Sequence, residues 1–198
     1  MTKKAKNKRK KIILSIFDKM LTVDFEQITI KALCDAADIS VGTFYHYFKD
    51  KSGFFIQIFS LFDDYIEEEL LPTLTDENEI NNFLNFCNGF ATYTNGYDVK
   101  ILRSIYSSVL SFSNEHEMER PFFRIPYEIL LNAQKKQQIS PDFNIEDLTK
   151  ALIISLRGYV YDWAWHEGSY DLVEYIHKFA VLFINALKLQ GEKVIQQM

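Results

Sequence analysis

The sequence predicts an all-α protein of about nine helices, with a three-helix N-terminal head on a larger helical body. Three observations carry this. Apolar residues recur at three- and four-residue spacing along nearly the whole chain, which is the helical period. Gly (7) and Pro (4) are few in 198 residues, so little interrupts that period. No stretch alternates apolar and polar residues for long enough to make a half-buried strand. A chain of this length buries a substantial core, and the expected division is a head over residues 1–51 and a body over 52–198.

Helix one is expected from about Lys6 to Thr22, with Ile12, Ile13, Ile16, Phe17, Met20 and Leu21 as its packing stripe. Ile30, Leu33 and Ala37 give the second helix an apolar face behind its N-cap, Thr29. Asp38 and Ile39 form the turn, and Ser40 caps the third helix. There Phe44 and Phe48, four apart, point inward, while Val41, Thr43, Tyr45, His46 and Tyr47 face outward or flank the contact. Two short helices joined by a tight turn make a DNA-reading device, and an uncharged outer face rich in hydrogen-bonding groups suits base edges and phosphates. Asp50 caps a fourth helix that runs through Phe54, Phe55, Ile58, Phe59, Phe62 and Ile66 to Leu71, where Pro72 ends it. Further helices are expected at about Glu77 to Thr94, Asp98 to Phe112, Arg120 to Gln138, Ile145 to Glu167 and Asp171 to Glu192. Asn95-Gly96, Ser140-Pro141 and Gly168-Ser169 punctuate them, Ser113 to Pro121 reads as a polar loop, and Pro126 is expected to bend or restart its helix.

The stretch from Thr29 to Lys51 resembles the helix-turn-helix of the tetracycline-repressor (TetR) family of transcription regulators. The resemblance is carried by Thr29, Leu33, Ala37, Ile39, Ser40, Gly42, Thr43, Phe44, Tyr45, Phe48 and Lys51. Cys34 stands where the family has a small Ala, and Asp38 where it has the turn Gly. Asp is among the few non-glycine residues that tolerate a left-handed backbone, so the turn survives at a modest cost. The resemblance implies the same nine-helix order, a dimer formed through the last two helices, and a body that binds a small molecule which moves the heads apart. It also implies that Lys31 sits where bases can be touched, and that repression by occlusion is the commoner mode.

Sorted by reach, Val41, Thr43 and His46 are the candidates for base edges. Thr29, Ser40, Tyr45, Tyr47 and Lys51 suit phosphates, with Lys51 near a helix N-terminus. Gly42 permits close approach of the backbone to DNA. Each has a plainer alternative: Tyr45 could cover the core edge, His46 could be an ordinary surface residue, and Thr29 and Ser40 could be caps and nothing more. Charge supports the DNA reading, because residues 1–51 carry a net +5 and residues 52–198 a net −10. Attraction to phosphates is local, screened over about 8–10 Å at physiological salt. Lys3 to Lys11 holds seven cations and no acid, which fits a phosphate-contacting arm or a solvated tail.

One recognition helix meets few bases, so specificity calls for two heads on a near-palindromic site, hence a homodimer. Its expected interface comprises Leu152, Leu156, Val160, Ile176, Phe179, Phe183 and Leu187, the alternative being plain burial in one body. Aromatics make up 15% of the chain. Phe86, Phe90, Tyr93, Arg103, Tyr106, Phe123, Tyr127, Tyr159 and Trp163 are the candidates to line an effector pocket, the alternative being plain core.

Cys34 and Cys87 lack paired spacing and are expected to be small core residues, with no disulfide or zinc site. No cofactor or metal is expected, and His116 among Glu115, Glu117 and Glu119 reads as a solvated acidic surface. No leader or apolar span of membrane length appears, so a cytoplasmic location is expected. An enzyme is disfavoured, since no nucleophile elbow, HExxH or phosphate loop is present. The remaining rival is a helical co-activator of the same fold that acts through another regulator.

Overall fold

Several of the helices start where a side chain caps them. In the computed structural model, which describes residues 3–20, 29–109 and 117–188, Thr29 accepts a hydrogen bond from the Ala32 amide (3.1 Å) and starts α2 (Ile30–Ala37). Ser40 accepts from the Thr43 amide (3.1 Å) and starts α3 (Val41–Tyr47). Asp50 accepts from Gly53 (2.6 Å) and starts α4 (Lys51–Tyr65). Each satisfies one of the amides a helix N-terminus leaves without an internal partner. Between α2 and α3, Asp38 adopts φ 52° and ψ 50°, the left-handed geometry expected of it.

α1 (Lys3–Met20) packs on α2 and α4. Ile12, Ile13 and Ile16 are buried with Leu33, Cys34, Phe44 and Phe48. Of the expected stripe, the side chains of Phe17 and Met20 lie outside those described, as do those of Phe55 and Ile58; Leu21, and Thr22 at the expected end of the helix, lie outside the described residues. Phe54 also belongs to this core, its ring 5.2 Å from Phe48 and 6.3 Å from Phe44. A boundary at residue 51 therefore cuts between rings of one cluster.

α4 does not run unchanged to Pro72. Its last turn widens into a π-helical segment, Ile66–Leu70, followed by a 3₁₀ turn, Leu71–Thr73. A proline without an N–H ends the ladder there.

The body comprises α5 (Glu79–Asn95), α6 (Val99–Val109), α7 (Pro121–Lys135), α8 (Ile145–Trp165) and α9 (Leu172–Leu187). The expected extensions of α6 to Phe112 and of α9 to Glu192 reach residues outside those described. α5 threads the centre, with Phe83, Phe86, Cys87, Phe90 and Ala91 buried against α7 and α9. Gly89 lets it close on the end of α4, since a Cβ there would lie 2.5 Å from Leu70 Cδ1. Pro126 is buried and does not restart its helix: α7 is continuous through it. No strand occurs among the described residues, and none of their helices is long and apolar enough to cross a membrane.

Candidate nucleic-acid interface

Two buried rings aim the rest of α3 outward. Phe44 and Phe48 are fully buried and 5.1 Å apart, which turns Val41 (46% exposed) and Tyr45 (52% exposed) to solvent. Gly42 and His46 are exposed beside them, and Thr43 and Tyr47 are half-buried. Tyr45 stands edge-on to Phe44 (5.8 Å) and His46 edge-on to Tyr47 (5.0 Å), so the outer rings are steadied by the inner ones. Lys31 is exposed on α2. Lys51 is the first residue of α4, and its side chain lies outside those described.

Ser40 and Thr43 are less open than their sequence suggests. Ser40 Oγ lies 2.9 Å from Thr43 Oγ1 while also accepting from the Thr43 amide. Together they hold one hydroxyl pair at the start of α3. Gly42 has no such constraint. It is helical, and among the described residues a Cβ there would meet only Ser40 Oγ, at 3.8 Å, so none of them requires glycine at this position.

Two expectations concern the body. Of the seven residues assigned to a dimer face, Leu152, Leu156, Val160, Ile176 and Leu187 are buried in the chain's own core, and Phe179 and Phe183 are partly buried against it. The five buried side chains present almost no surface to a partner, whereas Phe179 and Phe183 keep part of theirs. The outward apolar residues are Ile154, Tyr161 and Trp165 on α8 and Tyr175 and Leu182 on α9, between 46% and 71% exposed. With Gly158, the α8 residues recur at four- and three-residue spacing. They form a second apolar stripe on α8, apart from the buried one of Leu152, Leu156 and Val160.

Among the described residues, the nine pocket candidates are placed as follows. Phe86 and Phe90 stack on Phe122 (6.3 and 5.2 Å). Tyr159 packs on Phe179, and Trp163 donates to the Tyr170 carbonyl at 2.8 Å. Tyr127 is partly buried against the core. Arg103 is exposed and pairs with Glu167 at 3.2 Å. Tyr93 and Tyr97 bring their hydroxyls to 2.7 Å. Burial pushes the Tyr93 hydroxyl well above its ordinary value, helped by Tyr97, Asp64 and Glu69. Burial does the same to Tyr106, with Arg157 opposing it. A recess of about 250 Å³ is lined by Met118, Phe123, Lys150, Ile153, Ile154 and Arg157, and of the nine candidates Phe123 is the one in that lining. Cys34 and Cys87 are both buried, as expected. His116 and Glu115 lie outside the described residues.

A capped helix-turn-helix with its second helix presented outward, set on a helical body, is the architecture of bacterial transcription regulators. Residues 20–58 match the family described as bacterial regulatory proteins, tetR family. The whole fold agrees. Over 90% of its length the chain aligns with 99% of the fatty acid degradation regulator FadR from Bacillus halodurans, with a TM-score of 0.74 and 15% identity. Over 90% it aligns with 98% of FadR from Bacillus subtilis, solved in complex with stearoyl-CoA (TM-score 0.68, 14% identity). Over 94% it aligns with 89% of TylP, a tetR regulator from Streptomyces fradiae (TM-score 0.64, 12% identity). At these identities the likeness is one of fold. No curated protein matches the sequence significantly.

Proposed function

We propose that the protein is a ligand-responsive transcriptional repressor that acts in the cytoplasm, binding a near-palindromic operator as a homodimer. The observation that carries the DNA reading is Gly42. It is exposed on α3 between Val41 and Thr43 with no steric need for glycine among the described residues, which is what close approach of an outside backbone requires. Val41, Thr43 and His46 read base edges in the major groove, with Lys31 beside them. Tyr45, Tyr47, Lys51 and the Thr29 and Ser40 hydroxyls hold phosphates. Pairing of the heads uses the exposed apolar residues Ile154, Tyr161 and Trp165 of α8 and Tyr175 and Leu182 of α9, because large apolar side chains left in water favour association.

The body binds a small-molecule effector, as the Bacillus subtilis FadR structure holds stearoyl-CoA. The recess beside Phe123, at about 250 Å³, is below the range of about 300–1,000 Å³ usual for ligand pockets.

Footprinting on the DNA upstream of the protein's own gene tests the reading. Two protected patches about one helical turn apart are expected. A helical co-activator of the same fold would protect nothing by itself.

A further inference from the structure

α4 runs from the head core at Phe54 to the body core at Ile66, and two kinds of contact hold its body end. The first is apolar: Phe62, Ile66 and Leu70 are buried, and the Leu70 methyls fill the hollow left by Gly89 on α5. The driving force of such contacts is non-directional, and ridge-into-groove packing leaves a helix a scatter of about 15–20° in crossing angle. The second kind is directional. Arg120, the residue that precedes α7, donates from Nε to Asp63 Oδ2 (2.8 Å) and from Nη2 to the Phe59 carbonyl (3.2 Å), and its guanidinium carbon lies 5.4 Å from the Phe59 ring centroid. One side chain thus takes hold of two groups a turn apart on α4. One turn further along, Arg124 repeats the link in more exposed form, 3.1 Å from Glu67.

Stability is a poor account of this grip. The two side chains are 17% and 15% exposed, and an ion pair so far out of water roughly breaks even against apolar residues of the same volume. Asp63 Oδ1 is moreover buried without a hydrogen-bond partner, a penalty that native structures rarely leave standing. What such a pair supplies is one permitted arrangement of the helices that carry it.

We infer that Arg120 and Asp63 are positioning residues for DNA binding: by gripping one face of α4 they set its tilt and rotation, and thereby the separation of the two heads. From Asp50 to Asp63, α4 spans about 20 Å, so a small displacement at the grip becomes a larger one at the recognition helix. The inference rests on the reading of the head as one of a DNA-binding pair.

The test uses full-length protein, a two-half-site operator selected by wild type from a random pool, and a duplex carrying one half-site. Arg120→Met and Asp63→Asn are each expected to weaken binding to the full operator by about tenfold, within the usual range of coupling between sites. Binding to the single half-site is expected to stay at the wild-type level. The double variant Asp63→Leu with Arg120→Met removes the buried charges together, and is expected to fold and melt close to wild type while showing the same loss on the full operator. Variants that bind the full operator as wild type does overturn the inference. So does a parallel fall in melting temperature and in binding to both duplexes, which marks a merely structural pair. A wild type that selects no sequence at all overturns the underlying DNA reading and the inference with it.

Discussion

Asp38 is the residue on which the helix-turn-helix depends most delicately. Its φ of 52° places an L side chain where glycine is at ease, and its amide closes the end of α2 on the Cys34 carbonyl. Asp38→Ala is expected to cost about 1–2 kcal/mol, since Ala lacks the local polar compensation of Asp in this region. Asp38→Gly is expected to be neutral or to stabilise by up to about 1 kcal/mol. Urea unfolding midpoints of the two variants check both, and an Asp38→Ala protein as stable as wild type would contradict the account. This residue, the caps at Thr29, Ser40 and Asp50, and the inward Phe44 and Phe48 were all legible in the sequence. They were legible because a cap or an inward ring depends on neighbours within about one helical turn. Arg120 and Asp63 lie 57 residues apart, and no local pattern announces them.

Among the elements, α5 shows how a small residue sets a packing distance. Gly89→Ala gains helix propensity of about 1 kcal/mol but drives a methyl into Leu70, which is itself buried. A net loss of about 1–2 kcal/mol is expected from overpacking. Pairing Gly89→Ala with Leu70→Val should recover part of it, as read by thermal melting. If Gly89→Ala melts higher than wild type, α5 and the end of α4 are less tightly packed than described. Helix existence was legible throughout, since the 3.6-residue period spans each segment. The facing of α8 was not. It carries one apolar stripe through Leu152, Leu156 and Val160 and another through Ile154, Tyr161 and Trp165, and periodicity alone does not say which the core takes. The aromatic residues posed the same ambiguity: Phe86, Phe90 and Phe122 satisfy one another, a long-range choice that spacing cannot encode.

For the whole molecule, two properties follow from which side chains are exposed and which are buried. Leu182→Glu places a charge among the exposed apolar residues of α8 and α9 without touching the core, so sedimentation equilibrium at micromolar concentration is expected to show monomer where wild type is dimer. A wild type that is itself monomeric would remove the proposed pairing. Alkaline stability follows from the tyrosines. Tyr93, Tyr97 and Tyr106 all ionise above their ordinary value in the folded chain, so the folded state holds protons that the unfolded state releases. Their contribution is fully present below about pH 10 and is lost as pH rises from there toward the folded values. Unfolding free energy is therefore expected to fall above about pH 10, less steeply in Tyr93→Phe. A slope equal in wild type and variant would contradict this assignment.

The central claim is that a basic head on an acidic body reads duplex DNA through α3. The most direct measurement is fluorescence anisotropy with the selected operator and with random duplex, at several salt concentrations, for wild type and for Tyr45→Ala with Lys51→Ala. Wild type is expected to prefer the operator by about a thousandfold or more, with affinity falling steeply as salt rises, and the folded double variant is expected to lose most of that affinity. Equal binding of operator and random duplex by wild type at moderate salt, or a double variant that binds as tightly as wild type, would contradict it.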